Sequence, residues 1–155
     1  MTTLKEFASW WLAAGRPHNL PDSASVVETD HSLSFPVFRR DAYQIELYMG
    51  KPNFTSSKHS HPFDQLIIFQ GGKMFARRGQ DLEENPRWQG HDHADVDQIS
   101  EILPRGQWHQ IKSLDRGFVF YNVQYWYDLE PTSAVIEYQG SSLGPIHDQI
   151  INASK

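Results

Sequence analysis

The sequence contains no cysteine. Disulfides, thiolate zinc sites and cysteine nucleophiles are excluded together, so any metal must sit on nitrogen and oxygen. Long apolar runs are missing as well. No segment approaches the roughly eighteen consecutive apolar residues of a membrane helix, and the N-terminus has no basic region leading into an apolar one. A soluble, cytoplasmic protein is the expectation. Positive charge is in deficit: 14 Lys and Arg against 19 Asp and Glu give a formal charge of −5. Such a chain has no general attraction for phosphate backbones or anionic lipid, so neither nucleic acid nor membrane is expected as a partner.

What is present is a globular composition. Nine Phe, six Tyr and five Trp within 155 residues are too many aromatics for a disordered chain, and the length suits one domain over residues 1–155. Thr3 and Glu6 form a capping-box pattern, and Leu4, Phe7, Ala8 and Trp11 recur at helical spacing until Gly15. One amphipathic helix over residues 3–15 follows, its apolar stripe covering one side of the rest.

From residue 24 the period changes to alternation, and short strands extend to residue 139. Tyr43, Ile45, Leu47 and Met49 fall on one face of a strand and Gln44, Glu46 and Tyr48 on the other, with the inward face undecided. Gln65 to Phe69 reads as a strand, and Gly71-Gly72 as a tight hairpin into Lys73 to Arg78. Residues 79–97, with His91, His93 and several aspartates, read as a long polar surface loop. Ile99 to Leu103, Trp108 to Lys112, Phe118 to Tyr127 and Val135 to Tyr138 resume strand character. Many short strands, glycine turns and one helix fit an all-β jelly-roll barrel, a fold that can hold a ligand inside.

The chemistry concentrates in His59-Ser60-His61-Pro62-Phe63-Asp64-Gln65 and, almost fifty residues on, Pro104-Arg105-Gly106-Gln107-Trp108-His109. Alternate residues of a strand point the same way, so His59 and His61 form a natural chelating pair. Gln65 arrives beyond a turn, and His109 from a distant strand. Three imidazoles and an amide oxygen suit one divalent transition metal, iron foremost, with zinc, nickel, manganese or copper as alternatives. Glu46, Tyr48, Tyr121 and Gln124 are candidate catalytic residues, with Asn122 and Tyr125 beside them, provided that their strand faces point inward.

These residues at these spacings resemble the cupin superfamily. Its first motif, G-x5-H-x-H-x3,4-E-x6-G, is met by His59, His61 and Gly72, with Gln65 in the place of glutamate. Its second, G-x5-P-x-G-x2-H-x3-N, is met by Pro104, Gly106 and His109, with Ser113 in the place of asparagine. The resemblance implies a double-stranded β-helix and a metal held by His59, His61, Gln65 and His109. Gly50-x-Pro52-Asn53, followed by His59, Pro62 and Gln65, is similar to 3-hydroxyanthranilate 3,4-dioxygenases, with Thr55 where that family has an arginine. This implies a dioxygenase-like enzyme acting on a small organic substrate, and dimerisation is common among such proteins.

A neutral glutamine leaves more of the metal's charge uncompensated than glutamate does, which favours activation of a substrate oxygen over oxidation of the metal. A lyase, isomerase or cyclase is therefore the alternative enzyme class. A cupin that binds a small ligand without turnover is a third reading. Gln65 is either a ligand or a partner of one.

Overall fold

The computed structural model describes residues 2–20, 26–78, 87–92, 96–131 and 136–137. Helix α1 runs over Leu4–Ala13, with Thr3 as its cap. The Thr3 hydroxyl accepts from the Glu6 amide at 3.1 Å, and the Glu6 carboxylate accepts from the Thr3 amide at 3.2 Å. A cap of this kind contributes about 1 kcal/mol. Leu4, Phe7, Ala8 and Trp11 are its buried face, as the spacing requires.

The strands are β1 (Val27–Glu28), β2 (Ser32–Arg40), β3 (Tyr43–Gly50), β4 (His59–Ser60), β5 (Asp64–Arg78), β6 (Gln89–Asp92), β7 (His109–Lys112), β8 (Phe118–Tyr125) and β9 (Ile136–Glu137). They lie in the order β1-β2-β3-β8-β5-β7-β4-β9, with β6 beside β5, and the sheet curls into a half-barrel. All the pairings are antiparallel.

The curl depends on β5. Its first half pairs with β8 and its second half with β6 and β7, with a register shift between Phe69 and Gly71. The expected hairpin at Gly71-Gly72 is thus replaced by a bend within one 15-residue strand, because its two halves pair with other strands and not with each other. Gly72 has φ +82, and a Cβ there would lie 1.8 Å from the Gly117 carbonyl oxygen. Only glycine lets the chain turn between the two halves of the sheet at that closeness.

Side chains opposite each other in an antiparallel pair share a face, so the pairing decides what each strand points at. On the convex face Ile45, Leu66, Ile68 and Val123 pack beneath Phe7, Ala8 and Trp11, joined by Tyr43 and Leu47. On the concave face Ile67, Phe69, Phe118 and Phe120 cluster with Phe54 and Met74. The apolar row of β3 therefore lies under the helix, and its Gln44, Glu46 and Tyr48 row faces the concave side.

Two further expectations are corrected. Within 79–97, Gln89–Asp92 forms β6, because its backbone pairs with Lys73 to Ala76; residues 79–86 and 93–95 lie outside the described residues. Ile99 to Leu103 makes only the isolated bridges Ile68↔Ile99 and Gln65↔Leu103 and is no strand. Of Val135 to Tyr138, residues 136–137 are β9 and the ends lie outside the described residues. Among the described residues no helix is long and apolar enough to cross a membrane.

Candidate metal centre

His59 in β4 lies opposite His109 in β7, so two imidazoles fifty residues apart in sequence come from adjacent strands onto one face. His61 follows two residues after His59. The ring centroids are 4.2 Å apart for His59 and His109, 4.9 Å for His59 and His61, and 5.0 Å for His61 and His109. One nitrogen from each ring lies within 4.8 Å of the others, a grouping that can hold a metal ion.

The rings are oriented for that role. Nδ1 of His59 is 2.7 Å from the Ser57 carbonyl oxygen, and Nδ1 of His109 is 3.1 Å from that of Gln107. A carbonyl only accepts, so Nδ1 carries the proton and Nε2 keeps its lone pair. His109 is only 5% exposed. Burial first, and then the charges of His59 and His61, push its imidazole well below the ordinary value, which leaves it neutral at pH 7. The ring of His61 stacks on Phe63 at 4.5 Å, and Phe63 in turn meets Trp126 at 4.6 Å.

Gln65 lines the same cavity. It opposes Gln124 of β8, which opposes Gln44 of β3, so three glutamines form one row across the concave face. The amide oxygen of Gln65 is buried and accepts no hydrogen bond. An acceptor left bare in the interior costs about 1–3 kcal/mol, and that cost disappears when a cation or donor sits in front of it. Three imidazoles and one bare amide oxygen together fit a borderline divalent metal, and they do not fit calcium or magnesium.

The cavity, about 1090 Å³ in volume, has a second chemical feature. Glu46 is 7% exposed and lies in its wall. Arg39 donates to Oε1 of Gln44 at 3.0 and 2.5 Å, and the indole of Trp126 donates to Oε1 of Gln124 at 2.8 Å. Arginine and tryptophan can only donate, so both amides are turned with their NH₂ groups toward Glu46. Gln124 reaches Glu46 Oε1 at 2.7 Å and Gln44 reaches it at 3.3 Å. Those bonds favour the carboxylate, but burial outweighs them and holds the Glu46 carboxyl above the usual range. Asn122, opposite Glu46, has its side-chain oxygen buried and without a partner in the same cavity.

The other sequence candidates divide. Tyr48 lines the cavity, stacked on Phe120 at 5.2 Å, and burial raises its phenol above the ordinary value. Gln124 is fully buried, with both ends of its amide committed, so it positions Glu46. Tyr121 is a correction: by alternation it falls on the convex face, edge-on to Trp11 at 4.8 Å, away from the cavity. Tyr125 shares that face, 5.1 Å from Tyr43. Sequence reasoning missed Arg78 and took His91 for a loop residue, yet both line the cavity. The alternation Met74-x-Ala76-x-Arg78 was the available signal for the first. His93 lies outside the described residues.

No protein-family model matches the sequence, and no curated protein matches it. Solved structures do match. The polyketide cyclase RemF from Streptomyces resistomycificus is 13% identical with a TM-score of 0.58, over 85% of this chain and 96% of that one. A cupin-like protein from Thermotoga maritima is 14% identical with a TM-score of 0.53, over 88% and 97%. The capsular polysaccharide assembling protein CapF from Staphylococcus aureus is 18% identical with a TM-score of 0.53, over 70% of this chain and 34% of that one. The match thus spans about a third of CapF. At such identities the likeness is one of fold.

Proposed function

The chain has the cupin fold, and from that premise we propose that it is a metal-dependent enzyme moving a proton on a small enolisable organic substrate, as a lyase, isomerase or cyclase does. The observation that carries this reading is Glu46, a buried carboxyl held above its usual range in the cavity that the three histidines share. A buried carboxyl whose proton affinity is raised above that of a free one can both take and return a proton.

His59, His61, His109 and Gln65 would hold a divalent transition metal, which when bound would supply Lewis acidity toward a substrate carbonyl oxygen. The protein's own residues do the rest. Oε1 of Glu46 is engaged by Gln124 and Gln44, which leaves Oε2 to accept the proton from the carbon beside the carbonyl. The electrons of that C–H bond move into the enolate, and the proton returns from Oε2 to another carbon or to a departing group. Asn122 offers a free acceptor for a substrate hydroxyl. Phe69, Phe120 and Tyr48 give the cavity an apolar wall against water.

The similarity of fold to RemF, described as a polyketide cyclase, supports the same class. The dioxygenase-like reading rests on the Gly50-to-Gln65 likeness. There Thr55, in the place of the arginine, is exposed and bridges Lys112 outside the cavity, so the support for that reading stays with the sequence.

The test is deuterium incorporation beside the carbonyl of a panel of β-diketones and β-hydroxy ketones, followed by NMR in D₂O under argon. The metal-loaded protein is expected to catalyse exchange without oxygen. Glu46→Gln is expected to slow it by about 10²–10⁴-fold while the metal content stays the same. Turnover that consumes oxygen, or a Glu46→Gln protein as fast as the original, contradicts the reading.

A further inference from the structure

The wall that carries the histidines also carries a cation that the metal centre does not use. Arg78 of β5 lies directly opposite His109 of β7, and His109 lies opposite His59 of β4. Opposed residues share a face, so Arg78, His109 and His59 form one row across three strands, about 5 Å per step, all on the concave side. Arg77, the neighbour, also lines the cavity, but its guanidinium is committed to Gln110 and lies 4.7 Å over Trp88. On the concave side Met74 pairs with His91, which brings that imidazole to the same wall. The positive charge of Arg78 bears on both His109 and His91.

Among the described residues the charge of Arg78 is not balanced by a carboxylate. Its one described hydrogen bond goes from Nη1 to the Ile102 carbonyl oxygen at 3.0 Å, and among the described residues no carboxylate pairs with it. Glu101 also lines the cavity, but its carboxylate pairs with Lys5 at 3.6 Å and not with Arg78. Glu46 is engaged by Gln124 and Gln44 and makes no ion pair with Arg78. A guanidinium fork with N–H groups left unbonded among the described residues, beside imidazoles in a partly enclosed cavity, selects a planar anion that it can grip with two bonds.

We infer that Arg78 is the recognition residue for a carboxylate on the substrate, which makes the substrate class a small enolisable carboxylic acid with a planar or apolar body. This rests on the proposed acid–base reading for its reaction, but the binding it predicts stands by itself. The carboxylate sits between Arg78 and the histidine row, and the apolar body reaches along Phe69 and Phe120 toward Glu46. In a chain of formal charge −5, the row also gives an acid a reason to enter this cavity.

The experiment uses benzoate and benzamide, equal in shape and different in charge, titrated by NMR into the full-length metal-loaded protein. Benzoate is expected to bind about tenfold more tightly than benzamide, and less tightly as salt is raised. Arg78→Gln is expected to remove that preference, raising the Kd for benzoate about tenfold and leaving benzamide unchanged. Arg78 is exposed, so the variant folds. Equal binding of the two probes by the original protein, or a preference that survives Arg78→Gln, overturns the inference. Charge preference without deuterium exchange leaves the inference standing and removes the acid–base reading, and the reverse result does the opposite.

Discussion

His109→Ala is expected to empty the metal site. The native protein should carry about one transition metal per chain, and the variant, dialysed against the same buffer, less than a tenth of that by elemental analysis. Loss of a residue that only supports a ligand costs 10–100-fold in metal affinity, so loss of a ligand should cost at least about a hundredfold. The barrel should survive. His109 pairs with β4 and β5 through its backbone, which alanine keeps, and the concave apolar cluster does not include it. A far-ultraviolet spectrum like that of the native protein, with the metal gone, is the expected pair of results. Full retention of metal would show that the three imidazoles are not its ligands.

Gly72→Ala is expected to be the most damaging glycine-to-alanine change among the described residues. At φ +82 alanine costs about 1–2 kcal/mol in backbone strain alone. Its Cβ would also meet the Gly117 carbonyl oxygen at 1.8 Å and the Phe118 Cα at 2.5 Å, both backbone atoms that cannot turn aside. The sum should exceed about 3 kcal/mol, read as a shift in the midpoint of chemical denaturation. Gly71→Ala is the control: a Cβ there meets nothing within 4 Å, and a change below about 1 kcal/mol is expected. Similar losses at the two positions would mean that the bend in β5 is not set by Gly72.

The contrast between these two glycines explains what was legible in the sequence. Gly71-Gly72 announced a special backbone conformation, but a hairpin and a bend within a strand use the same residues, and only the partners of the flanking segments separate them. Two of those partners, β7 and β8, lie thirty or more residues away. The helix was readable because its cap and its stripe are local, and both are present as expected. The histidines were readable because two motifs with fixed spacing carried them, and His59 and His109 do meet.

Faces were harder. Alternation along β3 separated Tyr43, Ile45 and Leu47 from Gln44, Glu46 and Tyr48 but could not say which set met the cavity, and a polar interior reverses the usual guess. Tyr121 was misplaced for the same reason, since Asn122 and Gln124 take the concave face of β8 and leave the tyrosine under the helix. His91 was hidden by its acidic neighbours, which mark a loop more often than a strand. Arg78 ends a strand whose opposite number could not be known before the register was.

The central claim is that His59, His61, His109 and Gln65 together hold one transition metal. X-ray absorption at the edge of the metal in the native protein tests it most directly, set beside the same spectrum for Gln65→Ala. Three imidazole nitrogens and an additional oxygen are expected around a single metal per chain, with the oxygen shell altered and the imidazole shell kept in Gln65→Ala. A native protein without stoichiometric metal, or a spectrum lacking three imidazoles, would contradict the account; identical spectra for the two proteins would remove Gln65 from the ligand set.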